Sequence, residues 1–372
     1  MPLDFEALSK RHKEFHAPQY IIWVDFEKIA PKDFPVLDVS VMMSAGYDMS
    51  TCEFTVAGIF DAKSSGFKPD VYTKFKPGRV VVVAMGYDKP VELFKGYINA
   101  LNIDFNAEGG PFVHVQCLDA KGALVNNVTW KNYGEQDLEA VVTDMLKTQC
   151  SKYAKIGKVE VAFDKSDQGS QAKSPEIKDK LEDDYAYLKA LAARTNSSFC
   201  VLGKELCFRK NLAFASDTKT SVELRWGRSL LNFNIDIDIS EQVGKVTVYG
   251  EGVDPLDTFM AVCDDVPGTG ESGSEMAAVA KNKNLIVTNG DVSNKEQAAA
   301  LAKSILESHA EKLVKCKGSA IGIPEIKAGE KIKMAGMGKG IDGTYFLNHV
   351  THRINGGGYV TSFDCSGMEV PV

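Results

Sequence analysis

The chain lacks cysteines at metal or redox spacing. Its eight cysteines, Cys52, Cys117, Cys150, Cys200, Cys207, Cys263, Cys316 and Cys365, are scattered with no C-x-x-C pair, which signals neither a zinc site nor a disulfide framework. Several sit in apolar runs, such as Leu206-Cys207-Phe208, and read as small buried thiols of a protein made in a reducing cytosol. Long hydrophobic runs are missing too. The longest, Val80 to Met85, is far below the roughly 20 residues that span a bilayer. Met1-Pro2-Leu3-Asp4-Phe5 carries no basic n-region with an apolar core, so no signal peptide is legible. Positive charge is not in excess: 43 Lys and Arg against 50 Asp and Glu leave a net charge of −7, which argues against a dedicated nucleic-acid or anionic-membrane binder.

Catalytic signatures are absent as well. There is no Walker A lysine, no G-x-S-x-G and no H-E-x-x-H, and His309-x-Glu311 lacks the cysteine pair of a zinc deaminase. The paired carboxylates of a glycosidase follow no spacing rule, so the acidic residues neither support nor exclude one. No active site and no cofactor are expected.

What is present is a β-rich pattern that occurs twice. The first copy is Lys76-Pro77-Gly78-Arg79, Val80 to Met85, Gly86, then Leu93-Phe94-Lys95-Gly96-Tyr97-Ile98. The second is Lys327-Ala328-Gly329-Glu330, Lys331 to Ala335, Gly336, then Gly343-Thr344-Tyr345-Phe346-Leu347. Each reads as a turn, a strand, a glycine-marked loop and a longer strand. In Leu93 to Phe105 the parity changes midway, Phe94 and Ile98 on one face and Leu101, Ile103 and Phe105 on the other, as at a bulge on a barrel corner.

With 372 residues, 44% of them hydrophobic and 25% charged, the chain is long enough for two or three domains with their own cores. The expected organisation is an N-terminal arm over 1–18, a first β-barrel over 19–120, an α/β insertion over 121–222, a second β-barrel built from 223–254 and 285–372, and a Gly/Ser/Asp-rich loop over 255–284. The insertion has helical spacing at Leu138, Val141, Val142, Met145 and Leu146 and again through Leu181 to Arg194, with a short strand over Val159 to Phe163 and a polar loop over Asp164 to Glu176. Leu230 to Ile239 alternates cleanly between apolar and polar residues, and Val243 to Tyr249 is its expected partner. Ser293-x-x-Glu296 reads as a capping box for a helix over Lys295 to Leu313.

Three constellations invite a chemical reading, and each has a plainer one. His349 and His352 point to opposite faces of a strand and cannot chelate one ion; His352 shares its face with Phe346, Val350 and Ile354. Asp236 and Asp238 lie on one strand face about 7 Å apart, but the alternation makes this a wet face. Gly268-Thr269-Gly270-Glu271-Ser272-Gly273 matches G-x-G-x-x-G, yet Cys263-Asp264-Asp265-Val266-Pro267 before it is loop rather than strand.

Lys327-Ala328-Gly329, Asp342 to Leu347, Val350-Thr351-His352 and Gly358-Tyr359-Val360-Thr361 together resemble the late-control-gene-D family of phage tail proteins, which includes the hub half of type VI secretion spike proteins and the baseplate hubs of phage-like injection systems. Arg225 to Leu230 with Lys245 to Val248, and Asp184 to Leu188 with Leu191-Ala192, are similar to further parts of that family. The resemblance covers residues 20 to 372. It implies a mainly β fold, two related antiparallel tail-tube-like β-barrels with an inserted α/β domain. It also implies a homotrimer whose six barrels match a hexameric tail tube or tube-initiator protein, a trimeric spike on the other side, other baseplate proteins around it, and no specific nucleic-acid binding or membrane insertion. Such a hub is assembled in the producing cell's cytoplasm. The spike is expected as a separate polypeptide, since no glycine-rich β-helix follows the second barrel. The signature positions it carries over are Gly78, Gly86, Phe94, Gly96, Trp226, Gly227, Gly329, Gly336, Gly343, Tyr345, His352, Gly358 and Tyr359, mostly glycines for turns and close backbone approach. The rival expectations are a hub that also degrades peptidoglycan, and a monomeric carbohydrate-binding module, for which Trp23, Trp130 and Trp226 lie far apart.

Overall fold

The computed structural model describes residues 2–106, 110–129, 138–161, 182–251, 258–265, 271–272, 278–288, 292 and 294–370. The polar loop over 164–176, Trp130, Ser293 and most of the G-x-G-x-x-G match lie outside them. Among the described residues no helix is long and apolar enough to cross a membrane.

Helix α1 (Phe5–Arg11) opens on Asp4, whose carboxylate accepts the Ala7 N–H at 2.8 Å. The arm is docked: Leu8 is fully buried in the core of the C-terminal β-module, and Leu3 bridges to Val222.

The first module contains β1 (Gln19–Val24), β2 (Val36–Ser44), β3 (Thr51–Ala57), the single-turn α2 (Val71–Lys74), β4 (Val80–Gly86), β5 (Val91–Asn106) and β6 (Gly110–Leu118). Its strands pair antiparallel in the order β2-β3-β6-β5-β4-β1. Period-two alternation sends Cys52, Phe54 and Val56 inward opposite Cys117, Val115 and Val113. Phe75, just after α2, plugs one end of this core, its ring 5.1 Å from Phe34 and 5.6 Å from Phe54.

The insertion supplies α3 (Leu138–Cys150), β7 (Lys155–Val159), α4 (Asp184–Arg194), β8 (Ser197–Leu202) and β9 (Glu205–Lys210). Its strand β7 runs earlier than the expected 159–163 and pairs parallel with β9. The helical spacing in α3 brings Val141, Val142, Met145 and Leu146 onto Leu188, Leu191, Phe199 and Phe208 in a separate core.

The second module begins with β10 (Thr220–Arg225), which starts three residues before the expected boundary at 222/223, and β11 (Leu230–Ile237). The chain then leaves it. Strands β12 (Lys245–Glu251), β13 (Thr258–Cys263) and β14 (Asn284–Thr288) make their own three-stranded sheet, on which α5 (Lys295–Ala310) packs around Val246, Val248, Ala298 and Leu301. This corrects three expectations. Val243–Tyr249 does not pair with Leu230–Ile239; the stretch 255–284 holds strand and helix rather than only loop; and parts of 223–254 and 285–372 form this side sheet instead of the barrel. The cause is β12, whose inward Val246 and Val248 find α5 as an apolar partner. The cap of α5 is Asn294, which accepts the Gln297 N–H at 2.8 Å, not Ser293.

The module resumes with β15 (Val314–Ile321), β16 (Lys331–Ala335), β17 (Gly343–Asn355) and β18 (Gly358–Gly367). Its order β11-β15-β18-β17-β16-β10 matches the first module strand for strand, except that β10 runs parallel to β16 where β1 is antiparallel to β4. Beyond its pairing with β16, β17 pairs with β2, and the two modules become one continuous sheet. The fold is therefore mainly β: two related antiparallel modules with separate cores and an α/β insertion between them.

Candidate assembly surfaces

The repeat extends to individual hydrogen bonds. Gly78 N–H donates to Ile98 O at 2.8 Å, and Ile98 N–H donates back to Arg79 O at 2.9 Å. In the second module Gly329 N–H donates to Leu347 O at 2.9 Å, and Leu347 N–H to Glu330 O at 3.0 Å. Gly78 and Gly329 have φ of 88° and 84°, the left-handed region that excludes most side chains. A register shift then follows in both long strands, between Ile98 and Ala100 in β5 and between Leu347 and His349 in β17. A second shift recurs between Val36 and Asp38 in β2 and between Leu230 and Asn232 in β11. Even a thiol pair recurs, Cys52 opposite Cys117 and Cys316 opposite Cys365.

The remaining signature positions build this frame. Gly86 ends β4 at φ 153°, and Phe94 is buried in the first core. A Cβ on Gly96 would lie 2.0 Å from Leu118 O, so β5 closes onto β6 only through a glycine. Gly227 turns β10 toward β11 at φ 77°, leaving Trp226 52% exposed. Gly336 donates its N–H to Asp342 at 3.0 Å, and Gly343 opens β17 opposite Met334. Buried Tyr345 donates to Ile341 O at 2.6 Å. Gly358, at φ 109°, makes the β17–β18 hairpin.

His352 and Tyr359 lie at the seam between modules. His352 is fully buried opposite Val41 of β2, its Nε2 2.8 Å from Ile326 O and its Nδ1 2.8 Å from Tyr359 Oη. Burial depresses its pKa from 6.5 to about 4, so the ring is neutral; with both nitrogens engaged and its side chain on the opposite strand face, it does not share an ion with the half-exposed His349. Tyr359 stacks toward Tyr87 of the first module at 5.8 Å, and Tyr87 donates to Gly322 O at 2.9 Å. His12 and Phe15 from the arm close over Tyr87 at 5.4 and 5.5 Å, and His12 Nε2 is 2.9 Å from Glu325. Arg353 of β17 grips Asp38 of β2 with two nitrogens across the joint.

Among the described residues, two edges of the large sheet stay open where their counterparts in the repeat are paired. Beyond its first residue β11 pairs, among the described residues, with β15 alone. In β5, residues 101–105 pair with β6 on one side, while β4 reaches only to Tyr97 on the other. The apolar face expected for Leu230 to Ile239 is incompletely covered: Leu231 is 49% and Ile237 44% exposed. The bulge after Leu230 shifts the side-chain parity there. Asp236 stands opposite Lys315, and Asp238 caps Ser240 through its carboxylate. Among the described residues no group of three or more His, Cys, Asp or Glu side chains gathers as a metal site.

The insertion is fastened by Lys121, which no motif announces. This lysine is completely buried and donates to the carbonyls of Gly46, Asp48 and Phe199, with its ammonium 3.7 Å from buried Asp119. It ties the β2–β3 loop to β8. On the other side Leu202 and Leu212 press on Gly329, where a Cβ would lie 2.8 and 3.2 Å from them. Between these contacts a cavity of about 350 Å³ opens beside Phe94, Leu202, Arg209 and Glu330. The side sheet meets the insertion at Glu311, which accepts from Asn211 at 3.1 Å. Burial, with nearby Glu307 adding to it, pushes its carboxyl up to about 7.

This two-module architecture has solved counterparts. A 43 kDa tail protein of prophage MuSo2 from Shewanella oneidensis superposes with a TM-score of 0.65 at 14% identity, over 93% of this chain and 97% of that one. A tail protein from Neisseria meningitidis MC58 gives 0.64 at 12% identity, over 95% and 97%. The E. coli c3393 protein, a type VI secretion component similar in structure to the T4 tail proteins gp27 and gp5, gives 0.51 at 12%, over 96% and 77%. No curated protein matches the sequence. The fold is thus that of phage-tail and type VI secretion proteins. Within it, the chain belongs to the Alg8 N-terminal domain family, whose model matches residues 18–356.

Proposed function

We propose that this protein is a non-enzymatic baseplate hub, of the late-control-gene-D type, in a contractile tail or injection particle. The observation that carries the reading is the repeat: one six-stranded module occurs twice and is joined edge to edge within the chain by β17 and β2. Three chains would then present six equivalent modules to a hexameric tail tube, while three insertions present threefold symmetry to a trimeric spike. The tail and type VI proteins that share the fold support this reading. Symmetry matching, rather than bond chemistry, is the mechanism, and the particle would be put together in the producing cell's cytoplasm.

Native mass of the purified chain, alone and mixed with a candidate spike, tests the proposal. A trimer, or a monomer that becomes a 3:3 complex with the spike, is the expected result. A monomer indifferent to spike and tube proteins would overturn it in favour of a free-standing binding module. Clearing of a peptidoglycan layer by the pure chain would instead make it an enzyme as well.

A further inference from the structure

We infer that the joint between protomers is an antiparallel pairing of residues 101–105 of β5 with residues 233–237 of β11 from a second copy, in a register fixed by the joint inside the chain. The internal joint pairs Val350 with Met43, His352 with Val41 and Ile354 with Val39. The shared turn bonds and bulge align Leu347 of β17 with Ile98 of β5, so Val350, His352 and Ile354 correspond to Leu101, Ile103 and Phe105. The recurrent thiols align Cys316 with Cys52, and through them Ile235 of β11 with Val41 of β2. Phe233 and Ile237 then correspond to Val39 and Met43. Transferred to the open edges, the register sets Leu101 opposite Ile237, Ile103 opposite Ile235 and Phe105 opposite Phe233.

Three observations agree with that occupant. Among the described residues neither edge has a strand partner where its counterpart has one. All three transferred pairs are apolar on the same face, the arrangement that stabilises cross-strand contacts. Burial also differs in the expected direction: Val39, Val41 and Val350 are fully buried inside the chain, whereas Phe105 is 62% and Ile237 44% exposed. An open apolar edge is an aggregation hazard unless something covers it. Because β5 and β11 are different surfaces, the contact is head to tail and closes into a ring only by rotation.

This register rests on the hub reading for the ring but not for its own test. The full chain carrying Ile103→Cys and Ile235→Cys is oxidised under mild conditions, and covalent species are counted beside the native mass. Disulfide geometry is demanding, so this pair should cross-link at least about ten-fold more than the one-residue slip Ile103→Cys with Asn234→Cys. Each single substitution, checked by melting, controls for folding and for the native thiols. Covalent oligomers from the matched pair alone are expected. A native trimer in which the matched pair does not cross-link overturns the joint and leaves the hub reading standing. A chain that stays monomeric by native mass, alone and mixed with spike and tube proteins, and does not cross-link overturns both.

Discussion

The two modules share a hydrogen-bonded frame and differ in what is laid against it. Gly78 turns into open space, whereas Gly329, its counterpart, lies under Leu202 and Leu212 of the insertion. Ile103 of the first module is half-buried at an open edge, whereas His352 in the same place is sealed beneath β2 and hydrogen-bonded on both nitrogens. The backbone pattern is therefore set by the turn glycines and bulges, while the side chains record which neighbour each copy meets. The difference teaches that equivalence here is a property of the frame and specialisation a property of its contacts.

The sharpest break should come at the fastening of the insertion. Lys121→Met removes a buried charge and leaves Asp119 uncompensated among three orphaned carbonyls, so we expect a loss of about 3–5 kcal/mol, read from the denaturant midpoint. Next comes an acid response centred on the seam at β17. The folded pKa of His352 lies below its ordinary 6.5, at about 4. Stability is full above pH 6.5 and is lost as pH falls from 6.5 toward 4, by on the order of 3 kcal/mol. Hydrogen exchange at pH 7 and 4.5 should show β17 and β18 loosening before β5 and β6, and His352→Leu should flatten the slope.

The turn glycines offer a smaller, paired test. Gly78→Ala places a Cβ in open space at positive φ and should cost about 1 kcal/mol, whereas Gly329→Ala adds crowding against Leu202 and should cost about 2; equal melting shifts would break the contrast. The smallest effect has the opposite pH sign. Glu311 has a folded pKa raised to about 7, so its contribution is present at low pH and lost as pH rises from the ordinary carboxylate range to 7. Glu311→Gln should gain about 1 kcal/mol at pH 8, seen as a higher melting temperature that vanishes near pH 4.

The repeat was legible in sequence because its signals are local: a turn glycine, a strand of alternating residues, a second glycine. The parity change in Leu93 to Phe105 likewise marked the bulge at Ile98–Ala100. What was not legible depended on distant partners. Nothing in the alternation of Val243 to Tyr249 says that α5, rather than β11, will cover it. Lys121 gives no local sign that three carbonyls from two domains converge on it. The thiol pairs do not stand out as a repeat, because Cys52 and Cys117 are separated by a stretch containing α2 that the second module lacks between Cys316 and Cys365.

The strand joint between β17 and β2 has a consequence for the order of events in assembly. A contact made within one polypeptide forms at a rate and strength independent of how much protein the cell holds, while a contact between chains follows mass action. In the proposed ring of six modules drawn from three chains, every second joint would be of the first kind. Dilution or slow synthesis would therefore leave behind linked pairs and never stray halves, and the ring would always close on an even count.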